Sequence, residues 1–445
     1  MSGINKNAAA KKKPMKQPMR PKQPAAGNAP GKRPADSMAK SRCPYSKQCG
    51  GCDWIDVPYE EQLIRKQETV RKMVGKYGEV APVIGADNPL HYRCKVHAVF
   101  GKGPQGKVIS GIYREGTHRI VPVSGCLIED ERADRIIRSI RELAVSFRLP
   151  IYDEDTGRGC LRHVLVRTSR AFDQIMVVLV TGSSEFPSRK NFVKALTVLH
   201  PEITTVIQNI NGKKTSMILG DRQSVLYGKG SIEDELCGLR FRISPGSFFQ
   251  VDPAQAQTLY ETAVRFAHLT GEEKVIDAYC GTGTIGQVCA GRAGEVIGVE
   301  SNPEAVRDAR ENAERNNIDN IRFVRADAGE YMMQLASTGE RVDTVMMDPP
   351  RSGASRQFLK ALVTLAPERI VYVSCEPGSL ARDLKILTDS GYKVMQIQPV
   401  DMFAQTVHVE VVSLLQRMSN TRGKTITLDV EMEDYHRIKG ERREV

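Results

Sequence analysis

The stretch VYVSCEPGSLARDL, residues 371–384, runs through strand-forming residues to Ser374 and Cys375. It then turns at Pro377 into a helical pattern with Leu380, Leu384 and Leu387. A cysteine there is either a small hydrophobe closing a strand or a nucleophile held at the strand's C-terminal edge. A second residue bears on the choice. Glu410, in DMFAQTVHVEVVSLL, sits among Val409, Val411 and Val412 in an apolar strand, where a carboxylate needs a reason. One chemistry that needs both groups is substitution at carbon 5 of uracil. A thiolate adding to carbon 6 makes an enolate, carbon 5 attacks a sulfonium methyl, and a base removes the carbon-5 proton so that the thiol leaves. Neighbouring Glu376 would raise the thiol pKa if it pointed inward, and strand alternation turns it the other way. Cys94, Cys160, Cys237, Cys280 and Cys289 read as core residues.

A methyl donor needs a site, and VIDAYCGTGTIG offers one. Gly281, Gly283 and Gly286 follow a strand and precede a helix, the G-x-G-x-x-G spacing that lets a ligand approach backbone at a helix N-terminus. Glu300, 19 residues after Gly281, stands where an acid would hold ribose hydroxyls. This much suits NAD and S-adenosylmethionine equally. DPPRSG, residues 348–353, favours the second, because many S-adenosylmethionine-dependent methyltransferases place an acid-Pro-Pro loop at this strand end.

The elements that must position these residues alternate. KVIDAYC, EVIGVE, RFVRAD, DTVMMD and IVYVSC are apolar strands, most of them separated by helical patterns. They predict a doubly wound, mainly parallel α/β sheet from residue 236 to about 420. YKVMQIQPV and HVEVVSLLQ lie close together and predict an antiparallel pair. Upstream, residues 43–235 read as an α+β domain. Its strands are KVHAVFG, VISGIYR, HVLVRT, IMVVLVTG, TTVIQNI and SMILG, interrupted by one helix at 130–147. An earlier helix carries Leu63, Val70, Val74 and Tyr77 on one face.

The 445 residues carry a formal charge of +11, of which residues 1–42 hold +10. That tail has eight Lys, three Arg and only Asp36 in opposition, with no aromatic residue, so it reads as disordered and attractive to a polyanion such as RNA, or as a solubilising extension. No apolar run is long enough to span a bilayer and no secretory h-region follows the basic start, so the expectation is a cytoplasmic protein. Its ten cysteines are then ligands, catalysts or core residues rather than disulfides. CPYSKQCGGCDW contains Cys43, Cys49 and Cys52, and HRIVPVSGCLIED contains Cys126. From spacing alone a four-cysteine zinc site is the default reading. Residues 421–445 are strand-like and then charged, with no assigned role.

Taken together, SPGSFFQVDPAQAQTLY, DAYCGTGTIG, GVESNPEAV, DPPRSG, VSCEPGSLARDL and DMFAQTVHVE resemble the RNA uracil-C5 methyltransferases, most closely the bacterial 23S ribosomal RNA enzymes. The resemblance runs from Cys43 to about residue 417. It implies a Rossmann-like class I methyltransferase domain after an iron–sulfur and RNA-binding domain, with Cys375 as nucleophile and Glu410 as base. It also implies Gln250, Tyr279, Glu300 and Asp348 as contacts to S-adenosylmethionine, and Asp327 near the adenine. Cys43, Cys49, Cys52 and Cys126 match the family's ligands to a 4Fe–4S cluster, whose role would be to shape the RNA-binding domain. The implied partner is 23S ribosomal RNA, or tRNA by the same chemistry, acted on by a monomer with no membrane association. A target uridine in structured RNA must be extruded to reach Cys375.

The chain departs from the pattern in places. Many members begin with a small β-barrel (TRAM) domain, where this sequence has the basic tail. Cys94, Asp252 and Glu376 stand where members commonly carry Asn. Three other readings remain. A cytosine-C5 methyltransferase would carry a Pro-Cys loop where DPPR stands; a non-catalytic iron–sulfur RNA-binding protein would not need Cys375 and Glu410; and a dehydrogenase has no evident use for DPPRSG.

Overall fold

A computed structural model of the chain describes residues 42–418. The basic tail up to Ser41 and the C-terminal extension lie outside the described residues. Helix α1 (Tyr59–Val74) follows the cysteine-rich segment, with Glu60 and Glu61 in its first turn and Arg71 and Lys72 in its last, the polarity the helix dipole favours. Its inward face is Gln62, Lys66, Val70 and Val74, with Leu63 only partly buried. Val70 and Val74 lie on the expected face, but the helix ends before Tyr77, and the polar half of the face, Gln62 and Lys66, bonds a distant loop.

The first sheet has the order β3-β2-β1-β4-β5-β6-β7. Its strands are β1 (Lys95–Lys102), β2 (Val108–Tyr113), β3 (Ile120–Pro122), β4 (Leu161–Thr168), β5 (Ile175–Thr181), β6 (Ile203–Ile210) and β7 (Arg222–Tyr227). Helix α2 (Glu131–Ser146) lies where the sequence places one, capped by the Asp130 carboxylate, which accepts from Arg132 N–H. Several elements differ from expectation, among them β3 and β7, strands that the sequence pattern does not mark. Helix α3 (Arg189–Leu199) is present because β5 and β6 are parallel, and parallel neighbours need a crossover. SMILG, residues 216–220, forms no strand. The Asn211 side-chain amide donates to Met217 O (2.7 Å) and Ile218 O (3.1 Å), and that of Asn209 to Gly220 O (2.9 Å), which occupies the carbonyls a ladder would use.

A hairpin of β8 (Ile232–Leu236) and β9 (Leu239–Ile243) leads into the second sheet, of order β12-β11-β10-β13-β14-β16-β15. Its elements in chain order are α4 (Pro253–Ala267), β10 (Lys274–Ala278), α5 (Thr284–Ala290), β11 (Glu295–Glu300), α6 (Pro303–Arg315), β12 (Ile321–Arg325), α7 (Ala328–Ser337), β13 (Thr344–Met347), α8 (Arg356–Leu365), β14 (Arg369–Ser374), α9 (Pro377–Asp389), β15 (Tyr392–Val400) and β16 (Glu410–Arg417). Strands β10 to β14 are mutually parallel, and chain order reverses direction between β10 and β13, the crevice where ligands bind in such sheets. The antiparallel pair is present as expected. Strand β16 inserts between β14 and β15, an order the linear pattern does not reveal.

Alternation along the central strands splits their side chains between two cores. Ile276, Val345 and Tyr372 face α7, α8 and α9. Val275, Met346, Val371, Val373 and Val412 face α4 and α5, and share that core with Leu165, Met176 and Val178 of the first sheet. The other face of the first sheet packs on α2 and α3. Among the described residues no helix is long and apolar enough to cross a membrane.

Candidate active site

Strand β14 ends at Ser374, which pairs with Val411 of β16; one step further along that register sets Cys375 opposite Glu410. Directly opposed residues of an antiparallel pair have their Cβ atoms about 5 Å apart. Parity then fixes the face. Cys375 continues the series of Val371 and Val373, Glu410 that of Val412 and Leu414, and Asp348 that of Met346 on β13; all these hydrophobes lie in the core beneath α4. The three groups therefore converge at one sheet end and on one side. Glu376 does turn away, exposed, with its carboxylate capping α9 through Gly378 N–H at 3.2 Å.

The electrostatics bind the three together. Glu410 is 5 % exposed, and its Oε2 has no hydrogen-bond partner. Burial and the charge of Asp348 push its carboxyl well above the usual range, with Arg351 opposing. Burial raises Asp348 to about 7. Burial pushes the half-buried Cys375 thiol up to about 11, assisted by Glu410 and Asp348 and opposed by Arg351. Two crowded carboxyls and a thiol in a poorly solvated pocket thus disfavour a full set of negative charges. Arg351, the arginine of DPPR, is the positive group common to Cys375 and Glu410.

The glycine loop lies at the adjoining strand ends. Gly283 holds φ 77° at the start of α5, a left-handed conformation that glycine adopts without strain. Gly286 N–H donates to Asp277 Oδ2 at 2.7 Å, and a Cβ there would stand 2.8 Å from the same oxygen. Asp277 is a residue the sequence reading passed over. It is buried, its Oδ1 lacks a partner, and burial raises it to about 7 with Asp348 and Glu300 adding to the effect. Glu300 ends β11 and accepts from Gly281 N–H (3.1 Å) and Asn302 N–H (2.7 Å). Tyr279 follows β10 with φ 63° and packs on Phe358, ring centroids 4.9 Å apart. Gln250 is buried and interacts with the Tyr260 hydroxyl, which also meets Thr284 at the start of α5. Asp327 is the cap of α7, accepting from Gly329 and Glu330 N–H.

The departures from the family pattern fall on structural positions. Asp252 caps α4, accepting from Gln255 N–H at 3.3 Å, a role Asn serves as well. Cys94 is buried, its N–H bonded to Val251 O and its Sγ to Gln250 O at 3.4 Å, so it buttresses the backbone beside Gln250. Glu376 is the α9 cap described above.

Cys43, Cys49, Cys52 and Cys126 line one cavity of about 640 Å³, and no disulfide joins any of the ten cysteines. Burial raises the Cys52 thiol to about 12, with Cys49 and Cys43 adding to it, and burial with Glu129 and Cys52 raises Cys126 to about 12. Thiols that raise one another in this way are close neighbours, and an all-sulfur donor set suits a soft metal or an iron–sulfur group. As the side chains stand, no three His, Cys, Asp or Glu among the described residues form a group that would hold a metal ion. Arg351, Phe403 and His408 line the same cavity, which therefore reaches toward the sheet end that carries Cys375 and Glu410. His408, two residues before β16, is a lining residue that the sequence reading did not use.

Comparisons with known proteins bear on the family. The tRNA (uracil-5-)-methyltransferase family description matches residues 222–418. A protein of Clostridium tetani named an uncharacterized RNA methyltransferase is 42% identical over 386 residues, covering 86% of this chain and 84% of that protein. One of Halalkalibacterium halodurans with the same description is 41% identical over 379 residues, 84% and 82% of the two chains. The crystal structure of Pyrococcus abyssi tRNA (uracil-54, C5)-methyltransferase in complex with S-adenosyl-L-homocysteine is similar with a TM-score of 0.69 and 28% identity, over 83% of this chain and 86% of that one. A methyltransferase sheet with a thiol and a carboxyl opposed at its edge, and relatives of this similarity over most of the chain, lead to one conclusion: the chain belongs to the S-adenosylmethionine-dependent RNA uracil-5-methyltransferases.

Proposed function

We propose that this enzyme methylates carbon 5 of a uridine in 23S ribosomal RNA, with Cys375 as nucleophile and Glu410 as base. The observation that carries the reading is the placement of Cys375 across from Glu410, on the same side of the sheet as Asp348. The Cys375 thiolate bonds to carbon 6 of an extruded uracil, and the pair of electrons displaced onto the ring makes carbon 5 nucleophilic. S-adenosylmethionine supplies the sulfonium methyl that carbon 5 takes. The ionised Glu410 carboxylate then accepts the carbon-5 proton, the carbon 6–sulfur bond breaks, and the thiolate is regenerated. Arg351 favours the anionic forms of both groups. Gln250, Tyr279, Glu300 and Asp348 surround the strand-end crevice and are assigned to the methyl donor, with Glu300 placed for its ribose and Asp348 nearest the reacting edge.

Cys43, Cys49, Cys52 and Cys126 are assigned to a 4Fe–4S cluster, supported by their shared cavity and all-sulfur donor set. Its function is structural, because methyl transfer moves no net electrons. The first sheet with its cysteine segment forms the RNA-binding domain, the second sheet the methyltransferase domain, and the chain acts as a monomer in the cytoplasm.

Covalent trapping tests the reading. The protein is mixed with S-adenosylmethionine and 23S fragments carrying 5-fluorouridine, whose fluorine cannot leave as a proton. A denaturation-stable adduct that requires both the donor and Cys375 supports the assignment, and the fragment that traps locates the uridine. The archaeal tRNA (uracil-54, C5)-methyltransferase favours a second reading, tRNA as substrate. An adduct on tRNA and none on ribosomal RNA selects it, and no adduct on either rejects both.

A further inference from the structure

The loop from Asp401 to Val409 joins β15 to β16 and delivers Glu410 to its place. A loop of this length would ordinarily be mobile, yet this one is bonded to the segment from Asp53 to Lys66 at Asp401, Phe403, Gln405 and Val407. Lys66 Nζ meets Asp401 Oδ1 at 2.6 Å, both side chains fully buried, and also donates to Phe403 O at 3.0 Å. Tyr59 donates its hydroxyl to Asp401 Oδ2 at 2.8 Å. Gln62 and Gln405 exchange two bonds: Gln62 Nε2 donates to Gln405 Oε1 (2.8 Å), and Gln405 N–H donates to Gln62 Oε1 (3.0 Å). Trp54 N–H donates to Gln405 O at 3.0 Å, and Val407 N–H to Asp53 Oδ2 at 3.1 Å. These last two residues directly follow Cys52.

A fully buried lysine–carboxylate pair is a poor source of net stability, because taking both charges out of water costs about as much as their attraction returns. What it does provide is discrimination: a displaced loop would strand two charges in the core. We infer that Lys66 is a positioning residue for uracil methylation, its buried pair with Asp401 fixing the 401–409 loop and hence the stance of Glu410 toward Cys375. Helix α1 and the segment after Cys52 thereby set the base, so the cysteine-rich end of the chain contributes to the geometry of proton removal as well as to RNA contact. The inference deepens the proposed reaction and rests on Glu410 being its base.

The test uses Lys66→Met/Asp401→Asn in the full-length protein. The double change removes both charges together and keeps an acceptor for Tyr59. Expected are an unchanged melting temperature and RNA affinity, turnover at saturating substrates lowered roughly 10- to 100-fold, and accumulation of a methylated, denaturation-stable adduct on ordinary uridine RNA. That adduct marks slow proton removal after methyl transfer, which a general loss of folded protein would not produce. Wild-type turnover with no adduct overturns the inference. Should the variant not fold, hydrogen exchange in the wild-type protein decides: Gln405 and Val407 amides exchanging as slowly as the β16 core support the latch, and exchange at free-loop rates overturns it. Absence of a 5-fluorouridine adduct with the wild-type enzyme would overturn the methylation reading instead, leaving exchange to report on the latch.

Discussion

Replacing Asp277 by Asn should stabilise the protein in alkaline solution and have little effect in acid. The Asp277 carboxyl lies buried under the glycine loop, and burial, with Asp348 and Glu300 nearby, raises it from its ordinary 3.8 to about 7. The folded state therefore holds this proton more tightly than the unfolded chain does. Between these two pKa values the folded state binds the more protons, so stability falls as pH rises from about 4 to about 7 and stays low beyond. A displacement of about three units corresponds to about 4 kcal/mol at most. Asparagine keeps an acceptor for Gly286 N–H, which Asp277 Oδ2 now receives at 2.7 Å, and it carries no ionisable proton. Urea unfolding of both proteins at a series of pH values measures the difference. The variant should match the wild type near pH 4 and exceed it by up to about 4 kcal/mol near pH 8.5. A difference that does not change with pH would refute the reasoning, since it would mean that Asp277 ionises in the fold as readily as in water.

Glu410→Gln should form the methylated adduct and fail to resolve it, lowering turnover by about 10²- to 10⁴-fold while the first methyl transfer persists; single-turnover gels separate the two steps. The wild-type rate at subsaturating RNA should climb from about pH 6.5 to about pH 9, because the reacting forms of Cys375 and Glu410 are the deprotonated ones and both groups are raised by burial; a rate that falls over this range counts against their roles. Anaerobically purified protein should be brown with about four irons per chain, and Cys52→Ala should lose the colour; a colourless protein carrying one zinc would return the four cysteines to a simple metal site.

Much of this site can be read along the chain because its residues occupy strand ends, and strand ends announce themselves. Cys375, Glu300 and Asp348 each close an apolar run, and the glycine loop follows another. Alternation even places Glu376 outside before any fold is known. The alternating βα rhythm is equally local, since each strand buried on both faces must be apolar over its own few residues. Helix α3 was missed for the opposite reason: RKNFVKALTVL is amphipathic, but its necessity comes from β5 and β6 being parallel neighbours, a fact about pairing.

Pairing and long-range contact are what the tertiary structure alone decided. Hydrophobic pattern identifies β15 and β16 as strands, but which strand β16 pairs with is decided only by the fold, and it is this pairing that opposes Glu410 to Cys375. Lys66 shows the limit most clearly. On a helix rich in charge it reads as one more solvated cation, and only the fold brings Asp401, 335 residues away, to within 2.6 Å of its amine. Local sequence determined which residues could be strand-end acids, thiols and glycines, because periodicity and burial are set by near neighbours. Which of them meet was decided by the packing of distant segments, because ion pairs and strand partners form in space and leave no trace in spacing.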